Sequence, residues 1–195
     1  MPIDPGDIMG EEHWAKRGDI ELFLYRRHSP KARSKFPEKP VLFLVHGSSF
    51  SARTAYDLDI PGHGDYSLMK TFAGLGYDVW TMDHEGYGRS SHTEGYSYIA
   101  DGVEDLKAAA PVVEKITGRK AFSFFGSSSG ALRAGCFASD CPDRVERLVL
   151  AALVWTGEGS PTLRKRAERI EDWLANHRRV VNEAAYQSIF NRDVA

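Results

Sequence analysis

The sequence predicts an α/β fold in which a mostly parallel sheet carries helices on both faces. Three observations predict it. Short, wholly apolar runs, Val41–Val45 and Leu148 to Val154, suit strands covered on both faces. Segments with apolar residues at helical spacing alternate with the strands, which is the pattern of a parallel sheet with crossover helices. Three strands run into loops rich in glycine, serine or both, and on such sheets ligands bind beyond the carboxyl ends of the strands.

The first element is a hairpin over His13 to Arg27. Gly18-Asp19 supplies its turn, and Ile20, Leu22 and Leu24 alternate with Glu21, Phe23 and Tyr25. A loop rich in Lys, Arg and Pro runs from Ser29 to Pro40, and the apolar run that follows ends at His46-Gly47. A long polar loop, Ser48 to Gly64, precedes a helix with Asp65 as N-cap, Leu68, Phe72 and Leu75 on its buried stripe, and Gly76 past its end. Tyr77 to Met82 is the next strand, and a glycine-rich loop continues from His84 to Gly95. Asp101 to Thr117 reads as a helix with Val103, Leu106 and Ala110 on one face, kinked or split at Pro111. Lys120 to Phe125 is a strand, Gly126 to Gly130 a sharp turn, and Ala131 to Ser139 a helix. The run Leu148 to Val154 is a second doubly buried strand.

After Trp155 the character changes. Ser160-Pro161 opens a helix through an N-cap and a proline at the first helical position, with Leu163, Ala167, Ile170 and Leu174 at helical spacing. Another short helix is expected around Glu183 to Phe190.

Composition bounds the partners. The chain has 195 residues, 42% hydrophobic and 27% charged, with a net charge of −2, which is ordinary globular composition and argues against a nucleic-acid partner. The cluster Arg164-Lys165-Arg166 reads as a solvated helix face. No apolar run is long enough to span a bilayer, so no membrane partner is expected. The polar N-terminal stretch does not read as a secretory signal, and Cys136 and Cys141 form no disulfide framework or metal-ligand cluster, so a cytoplasmic location with reduced thiols is expected. No metal, nucleotide or flavin signature is present, and no cofactor is expected.

Three motifs carry chemistry. The first is Gly126-Ser127-Ser128-Ser129-Gly130, between an apolar strand and a helix. A serine at the apex of so sharp a turn brings the residues two before and two after it into contact, and glycine at both places removes the clash. Ser127 as apex would put Phe125 at a crowded place, and Ser129 would put Ser127 and Ala131 there, so Ser128 is the candidate nucleophile. The following helix points its free N–H groups at the turn. The second motif is His46-Gly47-Ser48-Ser49-Phe50, where a chain turning beside the first motif aims a backbone N–H at it. Ser48 N–H and Ser129 N–H are the candidate oxyanion donors, and the His46 side chain is read as a packing and hydrogen-bonding group. The third is Asp83-His84-Glu85-Gly86-Tyr87-Gly88-Arg89-Ser90, in which Asp83 and Ser90 are expected to order the loop.

In order, context and spacing these motifs resemble the α/β-hydrolase superfamily over Trp14 to Trp155. The resemblance implies a hydrolase core at residues 1–156 and the start of a helical cap at 157–195. It also implies a later strand bearing an acid and a histidine base in the loop after the last strand, which are not found here; Glu158 is a candidate acid, and His63 and His84 are the histidines able to approach the site. The sheet is therefore expected to be incomplete, with a C-terminal remainder of the same fold, on the order of a hundred residues, as partner.

The function expected is hydrolysis of an ester, lactone or related acyl bond through an acyl-Ser128 intermediate, on a small-molecule acyl substrate in a pocket lined by Phe50, Tyr56, Tyr87 and Trp155. The alternatives are a catalytically incomplete fragment or non-catalytic ligand-binding protein on the same scaffold, and an acyltransferase.

Overall fold

The computed structural model describes residues 7–32, 38–62, 66–177, 182–184 and 187. The chain starts as the expected hairpin, β1 (Met9–Arg17) and β2 (Ile20–His28), closed by Gly18, whose φ of 59° places it in the left-handed region. Then follow β3 (Val41–Val45), α1 (Ala52–Tyr56), α2 (Leu68–Gly74), β4 (Asp78–Met82), α3 (Ile99–Thr117), β5 (Phe122–Ser127), α4 (Ser129–Asp140), β6 (Val145–Ala151), α5 (Pro161–Ala167) and α6 (Ile170–Ala175). The sheet order is β1-β2-β4-β3-β5-β6. β3 to β6 are mutually parallel and the hairpin is the antiparallel edge.

Both faces are covered. On one, α3 and α4 pack through Val103, Leu106, Ala110, Ala134 and Phe137 against Val41, Phe43, Trp80 and Phe124. On the other, Tyr56, Met69 and Ala73 from α1 and α2 pack against Phe23, Tyr25, Leu42, Leu44 and Val79. This double cover buries Phe23 and Tyr25 as well as Leu22 and Leu24, so β2 contributes to both layers. The order β4-β3-β5 reverses direction at β3, and the loops after β3 and β5 leave the sheet side by side at that reversal.

Several elements differ from expectation. The segment read as loop holds α1, too short to show a helical period. Asp65 lies outside the described residues; the N-cap of α2 is Ser67, whose Oγ accepts from Lys70 N–H, and Leu75 is exposed while Met69 and Ala73 face inward. Pro111 sits inside an unbroken α3 because its position faces solvent, where the lost backbone bond falls on the wet side. The strand expected at Leu148 to Val154 is shifted and not doubly buried: Leu148, Val149 and Leu150 are 36%, 53% and 38% exposed, since β6 is the outermost strand among the described residues. The helix after Ser160 is two short helices, α5 and α6, interrupted at Glu168-Arg169. The helix expected around Glu183 to Phe190 falls largely outside the described residues.

Contacts divide the chain into two compact units, 1–93 with 97–156, and 94–96 with 157–195. The first is the sheet and its helices. In the second, Ser160 caps α5, and Tyr96 donates its hydroxyl to Leu174 O and lies 4.5 Å from the His177 ring.

Replacing Pro111 with alanine restores one helical hydrogen bond at a solvent-facing position. We expect Pro111→Ala to raise the free energy of unfolding by about 1–2 kcal/mol, read from the urea midpoint; a fall in the midpoint would contradict the description of α3.

Candidate active site

Ser128 occupies the turn between β5 and α4 with φ 57° and ψ −124°, a conformation that side-chain-bearing residues rarely adopt. Two hydrogen bonds hold it: Ser128 N–H donates to Ala151 O at the end of β6 (3.0 Å), and Ala131 N–H donates to Ser128 O (3.0 Å). Ser128 is exposed while its neighbours Ser127 and Ser129 are half-buried, so the apex presents one hydroxyl to solvent. Among the described residues no side chain is hydrogen-bonded to Ser128 Oγ.

The two glycines are required by contact. A Cβ on Gly126 would lie 2.4 Å from Gly130 O and 2.7 Å from Ala131 Cα. A Cβ on Gly130 would lie 2.2 Å from Val45 O and 2.5 Å from His46 O. The first α4 turn therefore presses against both the strand before it and the end of β3. Gly47 is close to the same turn, though less tightly: a Cβ there would meet Ser127 O at 3.0 Å and Ser128 Cβ at 3.1 Å. The loop carrying Ser48 thus lies against the turn carrying Ser128. Ser129, the first residue of α4, has a backbone N–H with no acceptor inside the helix.

The loop after β4 braces this arrangement. Asp83 accepts from Ala52 N–H (2.8 Å) and Arg89 N–H (3.0 Å), and Ser90 Oγ donates to Asp83 O while accepting from Phe23 N–H (2.9 Å). Gly88, at φ 51°, has no room for a Cβ beside the Asp83 carboxylate. Asp83 and Ser90 thus tie β2, α1 and the β4 loop together, and burial holds the Asp83 carboxyl above its ordinary pKa.

Behind the two loops lies a buried polar cluster. His84 Nδ1 is 3.2 Å from Asp105 Oδ2, which also accepts from Glu85 N–H (3.0 Å). Asp105 Oδ1 accepts from Arg17 Nε (2.8 Å), and Arg17 also pairs with Glu85. His84 N–H donates to His46 Nε2 (3.2 Å), His46 Nδ1 is 2.7 Å from Gly47 O, and Arg133 Nη1 donates to His46 O (3.5 Å). Burial holds both imidazoles well below their ordinary pKa; His84 and the Arg133 charge push His46 further down, and Arg133 and Arg17 do the same to His84. Burial likewise lowers the Arg133 pKa. Gly102 makes room for that guanidinium: a Cβ there would come within 2.4 Å of Arg133 Cδ and Nε. This cluster was not read from the sequence. A signal was present: Arg133 lies on the α4 face of Gly130, Ala134 and Phe137, where a charge is out of place unless it has partners.

The remaining candidates are distributed. Phe50 and Tyr87 are half-buried in the loops beside Ser128, and Tyr87 packs edge-on against His46 at 4.8 Å. Tyr56 belongs to the core, its hydroxyl donating to Val45 O (2.9 Å), which removes it from a surface open to substrate. Trp155 is 77% exposed. Glu158 is an exposed residue of the second unit. His84 is committed to Asp105, and His63 lies outside the described residues. Among the described residues no group of three or more His, Cys, Asp or Glu is placed to hold a metal ion, and no helix is long and apolar enough to cross a membrane.

The sheet order, the strained serine turn and the flanking loops define an α/β-hydrolase fold. A sequence profile of the serine aminopeptidase S33 family matches residues 55–194, and the chain belongs to that family. Solved structures with the same fold include the thioesterase domain from the curacin biosynthetic pathway, with TM-score 0.62 and 22% identity over 95% of this chain and 60% of that one. An epoxide hydrolase from Vigna radiata gives TM-score 0.60 and 16% identity over 97% and 55%. The 2-hydroxy-6-oxo-6-phenylhexa-2,4-dienoate hydrolase from Rhodococcus sp. strain RHA1 gives 0.54 and 17% over 72% and 45%. The chain spans 45–60% of the length of these three structures. A search of curated proteins returned no match.

Two outcomes follow. Gly130→Ala drives a methyl into the Val45 and His46 carbonyls and is expected to lower stability by about 2 kcal/mol or more. Gly135→Ala, on the same helix with only Leu150 methyls at 3.8 Å or beyond, is expected to be neutral or stabilising by up to about 1 kcal/mol; equal urea midpoints for the two would contradict the close approach. His46 and His84 are kept neutral by the fold, so below the ordinary value of 6.5 the unfolded chain binds more protons than the folded one. Their contribution is complete above that pH and is lost as pH falls toward the depressed folded values, at up to about 2.7 kcal/mol per pH unit for two histidines. Melting temperatures from pH 7.5 to 5 measure it, and a flat profile would contradict the buried neutral pair.

Proposed function

We propose that the chain carries the nucleophile and oxyanion site of a serine hydrolase acting on an ester, lactone or related acyl bond of a small molecule. The observation that carries the reading is Ser128 itself: a solvent-exposed hydroxyl on a backbone held at φ 57° by glycines that admit no other residue. Strain of this kind persists only where the surroundings impose it, and it gathers at reacting sites. Ser128 Oγ attacks the carbonyl carbon, its proton passes to a base, and the carbonyl oxygen takes up negative charge between Ser48 N–H and Ser129 N–H. Collapse expels the alcohol or other leaving group and leaves acyl-Ser128, which water then hydrolyses.

The base and its acid are not among the groups bonded to Ser128, and we assign them to the rest of the fold. The serine excludes a carboxylate nucleophile at the turn. By the same proposal the protein works in a reducing, cytoplasmic setting, where Cys136 and Cys141 stay as thiols. Among the described residues no base is bonded to Ser128 Oγ, and the second reading is accordingly a ligand-binding protein that keeps the scaffold without turnover.

A fluorophosphonate probe separates the two readings. Labelling is expected on Ser128, retained in Ser127→Ala and Ser129→Ala and lost in Ser128→Ala. Labelling that survives Ser128→Ala contradicts the assignment, and no labelling at all favours the binding protein.

A further inference from the structure

The loop that follows β3 has an unusual property. Three consecutive carbonyls, His46, Gly47 and Ser48, are each held by a side chain. Arg133 Nη1 donates to His46 O (3.5 Å), the His46 ring meets Gly47 O (2.7 Å), and Tyr87 Oη donates to Ser48 O (3.4 Å). The three donors come from α4, from β3's own end and from the β4 loop, and they touch one another. Tyr87 packs edge-on against His46, and the Arg133 guanidinium lies 5.9 Å from the Tyr87 ring centre.

The direction of the shortest bond is fixed by the ring's other nitrogen. His46 Nε2 faces a backbone N–H, that of His84, which only donates. Nε2 is therefore bare, and the single proton of a neutral imidazole sits on Nδ1 and is donated to Gly47 O. Burial and the neighbouring Arg133 charge both disfavour a second proton. In a planar trans peptide the C=O and the following N–H point in opposite directions. Holding Gly47 O against the imidazole thus sets where Ser48 N–H points, and holding Ser48 O does the same for Ser49 N–H.

The geometry points to His46 as the positioning residue that holds Gly47 O, with Tyr87 and Arg133 bracing the carbonyls on either side of it, so that Ser48 N–H faces the carbonyl oxygen of a substrate attacked by Ser128. This rests on the acyl-serine reading and adds to it the means by which one oxyanion donor is aimed. It also reassigns Tyr87, from pocket wall to a residue acting through the backbone of the neighbouring loop. The hydroxyl, which is the part that bonds Ser48 O, is the informative part to remove, because the ring packing is retained in phenylalanine.

The test compares the wild type with Tyr87→Phe by fluorophosphonate labelling kinetics, and records nitrogen-15 spectra of the His46 ring and the 47–49 amides at pH 7.5. Expected are a protonated Nδ1 and bare Nε2 on His46 and, in Tyr87→Phe, displaced amide signals at Ser49, whose peptide loses its carbonyl partner, and at the donor Ser48, whose loop loses one of its braces. The maximal labelling rate of the variant is expected to fall about tenfold, less than the loss of a whole oxyanion donor. Half-saturating probe concentration and melting temperature stay close to wild type, a separation that a merely structural role does not produce. A His46 proton on Nε2, or a variant that labels as fast as wild type, overturns the positioning role. A wild type that does not label while the ring and amide signals are as described overturns the acyl-serine reading and leaves the carbonyl-holding network supported by the spectra.

Discussion

Everything at the candidate site depends on one close approach, the first turn of α4 seated on the last residues of β3 with no side chain between them. Gly130 lies where any Cβ would collide with the Val45 and His46 carbonyls, and Gly126 where it would collide with Gly130 itself. These contacts force Ser128 into the left-handed region and bring Gly47 against it. Three elements far apart in sequence thereby share one corner of the sheet, at the reversal of strand order. Strain at a single serine is tolerable because the parallel pairing of β3, β5 and β6 and the packing of α4 hold the backbone on every side.

The second dependence is electrostatic. A protein interior rarely accepts a guanidinium, two imidazoles and a carboxylate together, because each loses hydration that its partners must replace. Here Asp105 is met by Arg17, the Glu85 amide and His84. The imidazoles stay neutral, and Arg133 is placed against a carbonyl and an aromatic ring. A hydrophobic cluster of equal volume would give as much stability, but it would not orient carbonyls. The cluster's contribution is direction: it fixes a tautomer, and the tautomer fixes a peptide plane.

Much of this was legible in the sequence where the physics is local. The glycines at 126 and 130 are explained by sterics within five residues, and the hairpin, β3 and β4 by hydrophobic pattern and turn chemistry. Asp83 and Ser90 were readable as loop-ordering residues through their bonds within the loop, while their ties to Ala52 and Phe23 needed the fold. Local reasoning failed at α1, whose few residues cannot display a helical period, and at Pro111, whose effect depends on which side of α3 meets solvent. At β6 the apolar run announces a preference for cover, and its exposure at an open edge of the sheet is what the expectation of an incomplete sheet implies. The network of His46, Tyr87 and Arg133 was invisible as a whole. Its bonds join residues separated by up to 87 positions, and only the sheet order brings them together.

The most direct measurement is a high-resolution structure of the protein after reaction with a phosphonate. The account predicts phosphorus on Ser128 Oγ and its oxygen about 2.7–3.1 Å from the backbone nitrogens of Ser48 and Ser129. Phosphorus on a neighbouring serine, or an oxygen directed into solvent with both amides turned away, would contradict it.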